Sequence, residues 1–307
     1  MPKENTHLFF ALKLLNNIKE SDIIKIISGY PEYYYLGSII PDTFYYGETG
    51  EITSISDSLH GKEGNPTNQT IIEMLEKSKN SKDIAFTMGY LSHCALDILF
   101  HPVIYYLSGN YYDPAPLKRQ QAVYMHRHLE TCLDINIGNR LRMHTLLQPK
   151  LFNALVFGQI IAHQYALDIT DTYRVLKRQI FFNRLFASRI AFYLMQRLVK
   201  TGLIKDWSQL GLFYGNTQFQ GNLMPEIVTY QDLINGEEKV SSVSSLFLSA
   251  MTLAEGMIKA AHGYANGLIT KETLLLHIPG LSLDTGKLHV PVSDIRNTAD
   301  NIFHAHH

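Results

Sequence analysis

Residues 89–102 read GYLSHCALDILFHP, an apolar run carrying His93, Asp97 and His101, each four positions from the next. On a helix, steps of four drift only about 40° from the first residue to the third, so the three side chains share one stripe. The two histidines then stand roughly 12 Å apart along the axis, too far for one tetrahedral zinc with bonds of about 2 Å. If the stripe binds metal, it serves at least two ions. Asp97 is the natural bridge, because a carboxylate has two oxygens. A single His-x-x-x-Asp pair would read as a core histidine with a hydrogen-bond partner. Three polar groups on one apolar face call for more, because burying them bare is costly.

Other segments offer partners. HRHLE sets His126 and Glu130 one turn apart on one face, able to share an ion, while His128 points elsewhere, to a supporting or solvated role. LGSIIPD reads as an extended stretch ending in Asp42, and His60 follows eighteen residues later on a loop. His7 falls in the first turn of the first helix. Singly, each has an ordinary explanation: Asp42 as a turn residue, His7 as an exposed side chain, the His126–Glu130 pair as surface decoration.

The elements that must position these groups are helical nearly throughout. Helices are expected from Thr6, as N-cap, to about residue 19, and over 67–79, 82–107, 116–137, 151–167, 171–177, 183–201 and 241–268. Pro102 is expected to end or kink its helix, swinging His101 towards another ion. Residues 24–61 read as loop-rich, punctuated by Gly29, Pro31, Gly37, Pro41, Gly47, Gly50 and Gly61. Residues 206–240 show no helical period, and the YGNTQFQGN loop within them is a candidate lining for a substrate entrance. The last part, 279–307, carries turn residues, a strand pair and a frayed tail, FHAHH. The simplest organisation is an all-α body over 1–205 with a C-terminal extension, 206–307, packed on it.

Composition bounds the function. Hydrophobic residues make up 46% of 307 and charged residues 18%, enough for a large core and too apolar for global disorder. With 27 basic and 28 acidic residues, the chain as a whole lacks the charge of a nucleic-acid binder. The longest apolar run is interrupted by three ionisable groups, each costing roughly 2–3 kcal/mol at mid-bilayer, so no spanning helix is expected. The first twenty residues lack the apolar core of a Sec signal. A soluble, cytoplasmic protein is therefore expected, with non-classical export left open. Cys94 and Cys132 sit beside candidate ligands and read as reduced thiols.

Taken in order, THLFFA, YLGSIIPD, the loop His60, GYLSHCALDILFHP and HRHLE resemble the zinc-dependent phospholipase C family, which is all-α and related in fold and metal site to the S1/P1 nucleases. The resemblance runs from His7 to about Asp134, more loosely to Thr201, and GYLSH-x-x-x-D-x-x-x-HP is its specific part. It implies two or three zinc ions. Asp42, His60, His93 and Asp97 would hold one; Asp97 would bridge to a second, with His7; His101, His126 and Glu130 would hold the third. Asp42, or else Glu130, would orient or deprotonate the attacking water, and a phospholipid would yield diacylglycerol and a phosphorylated head group. Secreted members complete the His7-side site with an N-terminal Trp, whereas the single tryptophan here is Trp207.

The implied partners are a phospholipid or another phosphodiester, with peripheral membrane contact and no nucleic acid. Tyrosines 33–35, 45, 46, 105, 106, 111 and 112 flank the proposed ligands; most are expected in the core and a few along the cleft. Two alternatives stand beside this reading: an S1/P1-type single-strand nuclease and a non-catalytic helical metal-binding protein. A phosphohydrolase built on an adjacent His-Asp pair is disfavoured, because no His is followed by Asp.

Overall fold

The structure, a computed structural model, describes residues 3–136, 146–215 and 225–299. Its centre is the helix Ser81–Ser108, buried along nearly its whole length. Asn80 starts it by accepting hydrogen bonds from the amides of Lys82 and Asp83, a cap worth about 1 kcal/mol. A helix that is apolar on all sides must be covered on all sides. In chain order the helices before it are α1 (Glu4–Asn17), α2 (Ser21–Gly29), α3 (Pro31–Gly37), α4 (Ile40–Thr43), α5 (Gly50–Leu59) and α6 (Asn68–Lys77), which makes the central helix α7. After it come α8 (Pro116–Asn136), α9 (Val156–Tyr165), α10 (Ile169–Phe186) and α11 (Arg189–Lys200). The antiparallel hairpin β1 (Ile227–Gln231) and β2 (Glu238–Ser242) pairs Ile227 with Ser242 and leads into α12 (Val243–Ala265) and α13 (Lys271–His277). Helices α3 and α12 make the broadest contacts with α7.

Two glycines set how close α3 comes to α7. A Cβ on Gly89 would lie 1.9 Å from the Tyr34 carbonyl oxygen, and one on Gly37 would lie 2.1 Å from the Phe86 carbonyl oxygen. Only backbone fits there, and the close approach brings the chain after α3 against the stripe of α7 that carries His93. The body is all-α but for the hairpin. Among the described residues, no helix is long and apolar enough to cross a membrane.

Several expectations are corrected. α7 runs through Pro102 to Ser108 without ending. Pro102 removes one intrahelical bond, to the Ile98 carbonyl, and a turn at Gly286 packs against both that carbonyl and the proline ring. Residues 24–61 are mostly helical: Pro31 and Pro41 begin α3 and α4, and Gly29 and Gly37 end α2 and α3, so these residues punctuate helices rather than loops. LGSIIPD is thus the end of one helix and the start of another, and His60 is the C-cap residue of α5. The first helix begins at Glu4, ahead of Thr6, whose amide and hydroxyl both bond the Asp134 carboxylate. The helix over 171–177 begins at Ile169 and continues unbroken to Phe186. No strand occurs among the described residues of 279–307; the strand pair lies earlier, at 227–242. Most of the YGNTQFQGN loop and the FHAHH tail lie outside the described residues.

Candidate metal centre

Five segments deliver the polar groups to one place. α1 brings His7, α4 brings Asp42, the end of α5 brings His60, α7 brings His93, Asp97 and His101, and α8 brings His126 and Glu130. All eight are buried. Seven of them fall into two groups whose ligand atoms lie within 4.8 Å of one another, Asp42, His60, His93 and Asp97 in the first and His101, His126 and Glu130 in the second, while His7 stands beside the first.

In the first group, His60 Nε2 lies 3.1 Å from Asp42 Oδ1 and 3.4 Å from Asp97 Oδ2. His93 Nε2 lies 3.0 Å from the same Asp97 oxygen and 3.6 Å from Asp42 Oδ1. The other Asp97 oxygen faces His7 Nε2 at 3.3 Å and His101 Nε2 at 3.8 Å. Asp97 thus stands between the two groups, as the four-residue spacing suggested. His7 falls outside the first group, although its ring stacks on that of His93 at 3.9 Å and its Nε2 is 3.7 Å from Asp42 Oδ2. In the second group His126 Nε2 lies 3.0 Å from Glu130 Oε1.

The orientation of three imidazoles is fixed from behind. His60 Nδ1 is 2.7 Å from the Ser56 carbonyl oxygen, His93 Nδ1 is 3.0 Å from that of Ser38, and His101 Nδ1 is 2.9 Å from that of Leu283. A carbonyl only accepts, so each Nδ1 is the donor, and the neutral ring leaves a lone pair on Nε2. All three Nε2 atoms, and both Asp97 oxygens, are buried without a hydrogen-bond partner. In a core without metal, so many bare polar atoms would be costly. With zinc they become a ligand set in the usual arrangement, each imidazole steered by a backbone acceptor on its far side. The residues fit the metal.

The electrostatics follow. Burial opposes the charge on Asp97, but the neighbouring His101, His93 and His7 outweigh it and hold the carboxyl well below the usual range. Asp42 is lowered in the same way, with His93 and His60 outweighing burial. Burial also opposes the charge on His60, yet the carboxylates of Asp42 and Asp97 facing its Nε2 carry it well above an ordinary histidine. Burial, reinforced by the charge of His93, lowers His7, and burial holds His126 well below its ordinary value.

One residue near the centre has no counterpart in the motifs. Asp284 Oδ1 lies 3.2 Å from His101 Nδ1, and its neighbour Leu283 donates its amide to the His60 carbonyl. A segment 183 positions beyond His101 therefore braces both groups. The local sequence SLDTG signals only a turn, so nothing in it could have linked Asp284 to the site. His128 is buried, stacked on Tyr124 and 3.5 Å from Cys132 Sγ, outside both groups. Both cysteines are buried free thiols.

A cavity of about 480 Å³ opens beside the centre and is walled by Asp42, Glu130, His126 and Asp284, a size suited to a small ligand. Tyr45, Tyr46, Tyr105, Tyr111 and Tyr112 line it. Tyr33 and Tyr34 belong to the core instead, and Tyr106 packs on Tyr230. Lys62 and Arg178 add cations to the wall, paired with Asp57 and Glu48 respectively.

The family model for zinc-dependent phospholipase C matches residues 6–183, more than half of the chain. The chain belongs to that family. No curated protein and no solved structure matches it. Family and geometry agree on a zinc hydrolase whose two buried groups suit two or three zinc ions. The family match ends before the hairpin, α12 and the Leu283–Asp284 brace, so part of this member's metal centre is supported from outside the matched span.

Proposed function

We propose that the chain is a phospholipase C. It hydrolyses the phosphodiester between the glycerol and the head group of a phospholipid, releasing diacylglycerol and a phosphorylated head group. The observation that carries this reading is the row of inward-facing imidazole nitrogens around Asp97, at the edge of a cavity lined with cations and tyrosines. In this reading His7, Asp42, His60, His93, Asp97, His101, His126 and Glu130 hold the zinc ions. Bound zinc supplies a Lewis acid that neutralises phosphate charge and brings the pKa of water to about 7.

The chain's own groups do the rest. Asp42, kept ionised by its histidines, reaches the cavity wall and accepts a proton from the water attacking phosphorus. As the bond from phosphorus to the glycerol oxygen breaks, that proton passes to the leaving oxygen. Glu130, also at the wall, is the other candidate base. Burial pushes the Tyr105 and Tyr112 hydroxyls well above their ordinary range, so they stay protonated and donate hydrogen bonds to phosphate oxygens.

The test is to assay the zinc-loaded protein on a chromogenic phosphocholine diester and on a single-stranded oligonucleotide. Diester turnover that disappears in Asp42→Asn supports the reading. Degradation of the oligonucleotide with the diester untouched would assign the site to the nuclease branch instead.

A further inference from the structure

Between Asp171 and Asp206 the chain contains eight lysines and arginines and no acidic residue. The whole chain is nearly balanced, at 27 basic against 28 acidic, so everything outside this stretch is net acidic. A basic run alone would be an ordinary solvated face. Here apolar side chains are exposed within it: Phe181 at 59%, Ile190 at 82%, Tyr193 at 60%, Leu194 at 58% and Leu203 at 75%. Ile190, Tyr193, Leu194 and Arg197 follow the i, i+3, i+4, i+7 pattern, so they form one outward stripe on α11. The opposite side of α11 is already used: Phe192 is buried against Phe213, in a cluster with Phe186. Among the described residues, the outward stripe therefore has no core to cover.

Arg184, Arg189, Arg197, Lys200 and Lys205 are exposed in the same stretch, and none makes an ion pair with a described residue. Exposed aliphatic and aromatic side chains with basic residues among them are the composition of a helix that lies in a membrane interface. The face is also close to the site, because Phe182 and Phe186 of α10 line the cavity.

We propose that α11, with the exposed end of α10, docks on an anionic phospholipid surface. Its cations meet lipid phosphates while Ile190, Tyr193 and Leu194 enter the head-group boundary. Two other occupants fit less well. A second copy related by a two-fold would set this basic stretch against itself. A nucleic acid would leave Ile190, Leu194 and Leu203 with nothing to stack on. The biological purpose of the docking rests on the phospholipase reading; the docking itself does not.

The experiment is flotation of the full-length zinc-loaded protein with vesicles of phosphatidylcholine alone and with an equimolar share of phosphatidylglycerol. The expected result is binding to the anionic vesicles only, reversed by high salt. Arg189→Gln with Arg197→Gln removes two charges and should weaken binding by roughly tenfold to thirtyfold. Ile190→Ser with Leu194→Ser should weaken it as well, and both pairs should retain wild-type zinc content, helical circular dichroism and turnover of the water-soluble diester. Three outcomes overturn the docking: equal binding to both vesicle types, oligonucleotide binding that the same variants abolish with no vesicle binding, or a dimer in sedimentation that Ile190→Ser dissolves. Vesicle binding needs no turnover, so an inactive protein that floats refutes the phospholipase reading alone. An active protein that does not float refutes the docking alone.

Discussion

The two polar groups that meet at α7 are both built from imidazoles and carboxylates and differ in their walls. Asp42, His60, His93 and Asp97 are enclosed, and of these only Asp42 reaches the cavity. In the other group, His126 and Glu130 both line the cavity, and His101 is braced by a segment outside the family match. An enclosed set retains its ion, whereas a set at an open wall leaves room for water or substrate. On the proposed reading the first group would be the anchoring half of the centre and the second the exchanging half, with Asp97 facing both.

Asp97→Asn should break the comparison outright, since it touches both halves. Zinc affinity should fall by more than about 100-fold, beyond the range for supporting residues, while the helical circular dichroism survives. Elemental analysis after dialysis checks this; retention of two ions would show that Asp97 is not shared. Asp284→Asn should affect one half only. Loss of its contact with His101 should weaken the cavity-side zinc by about 10- to 100-fold and leave the enclosed ion in place. Zinc titration that finds both affinities lowered together would merge the two halves into one.

The smallest effect concerns protons. His60 sits well above an ordinary histidine because of Asp42 and Asp97, so below that raised value zinc must displace a proton from it. Affinity at the enclosed half should rise by up to about tenfold per pH unit as pH increases towards it. His126 is held neutral by burial, so it has no proton to release over the same range. Calorimetry in buffers of different ionisation enthalpy should find proton release with the enclosed ion and less with the other.

What could be read in the sequence divides along the same line. The stripe on α7 is a matter of spacing, and spacing survives folding: His93, Asp97 and His101 lie where four-residue steps put them. Contributions from His7, Asp42 and His60 depended on the order of motifs, because nothing local says that α1, α4 and α5 converge on α7. The helical nature of residues 24–61 was hidden because Pro and Gly at helix ends look like breaks. Pro102 looked like a stop or a kink because the turn at Gly286 that packs beside it lies far along the chain. Asp284 was illegible for the same reason, and the carbonyls that hold the imidazoles have no residue type at all.

That last point bears on how the centre tolerates change. The groups steering His60, His93 and His101 belong to the main chain of Ser56, Ser38 and Leu283, so any amino acid at those positions presents the same acceptor. Those side chains are themselves buried, so changes that still fit the surrounding core and keep the local path leave the acceptors in place. The vulnerable positions are those that set the path, Gly37 and Gly89 foremost, where one added methyl group would push the Ser38 carbonyl off its imidazole.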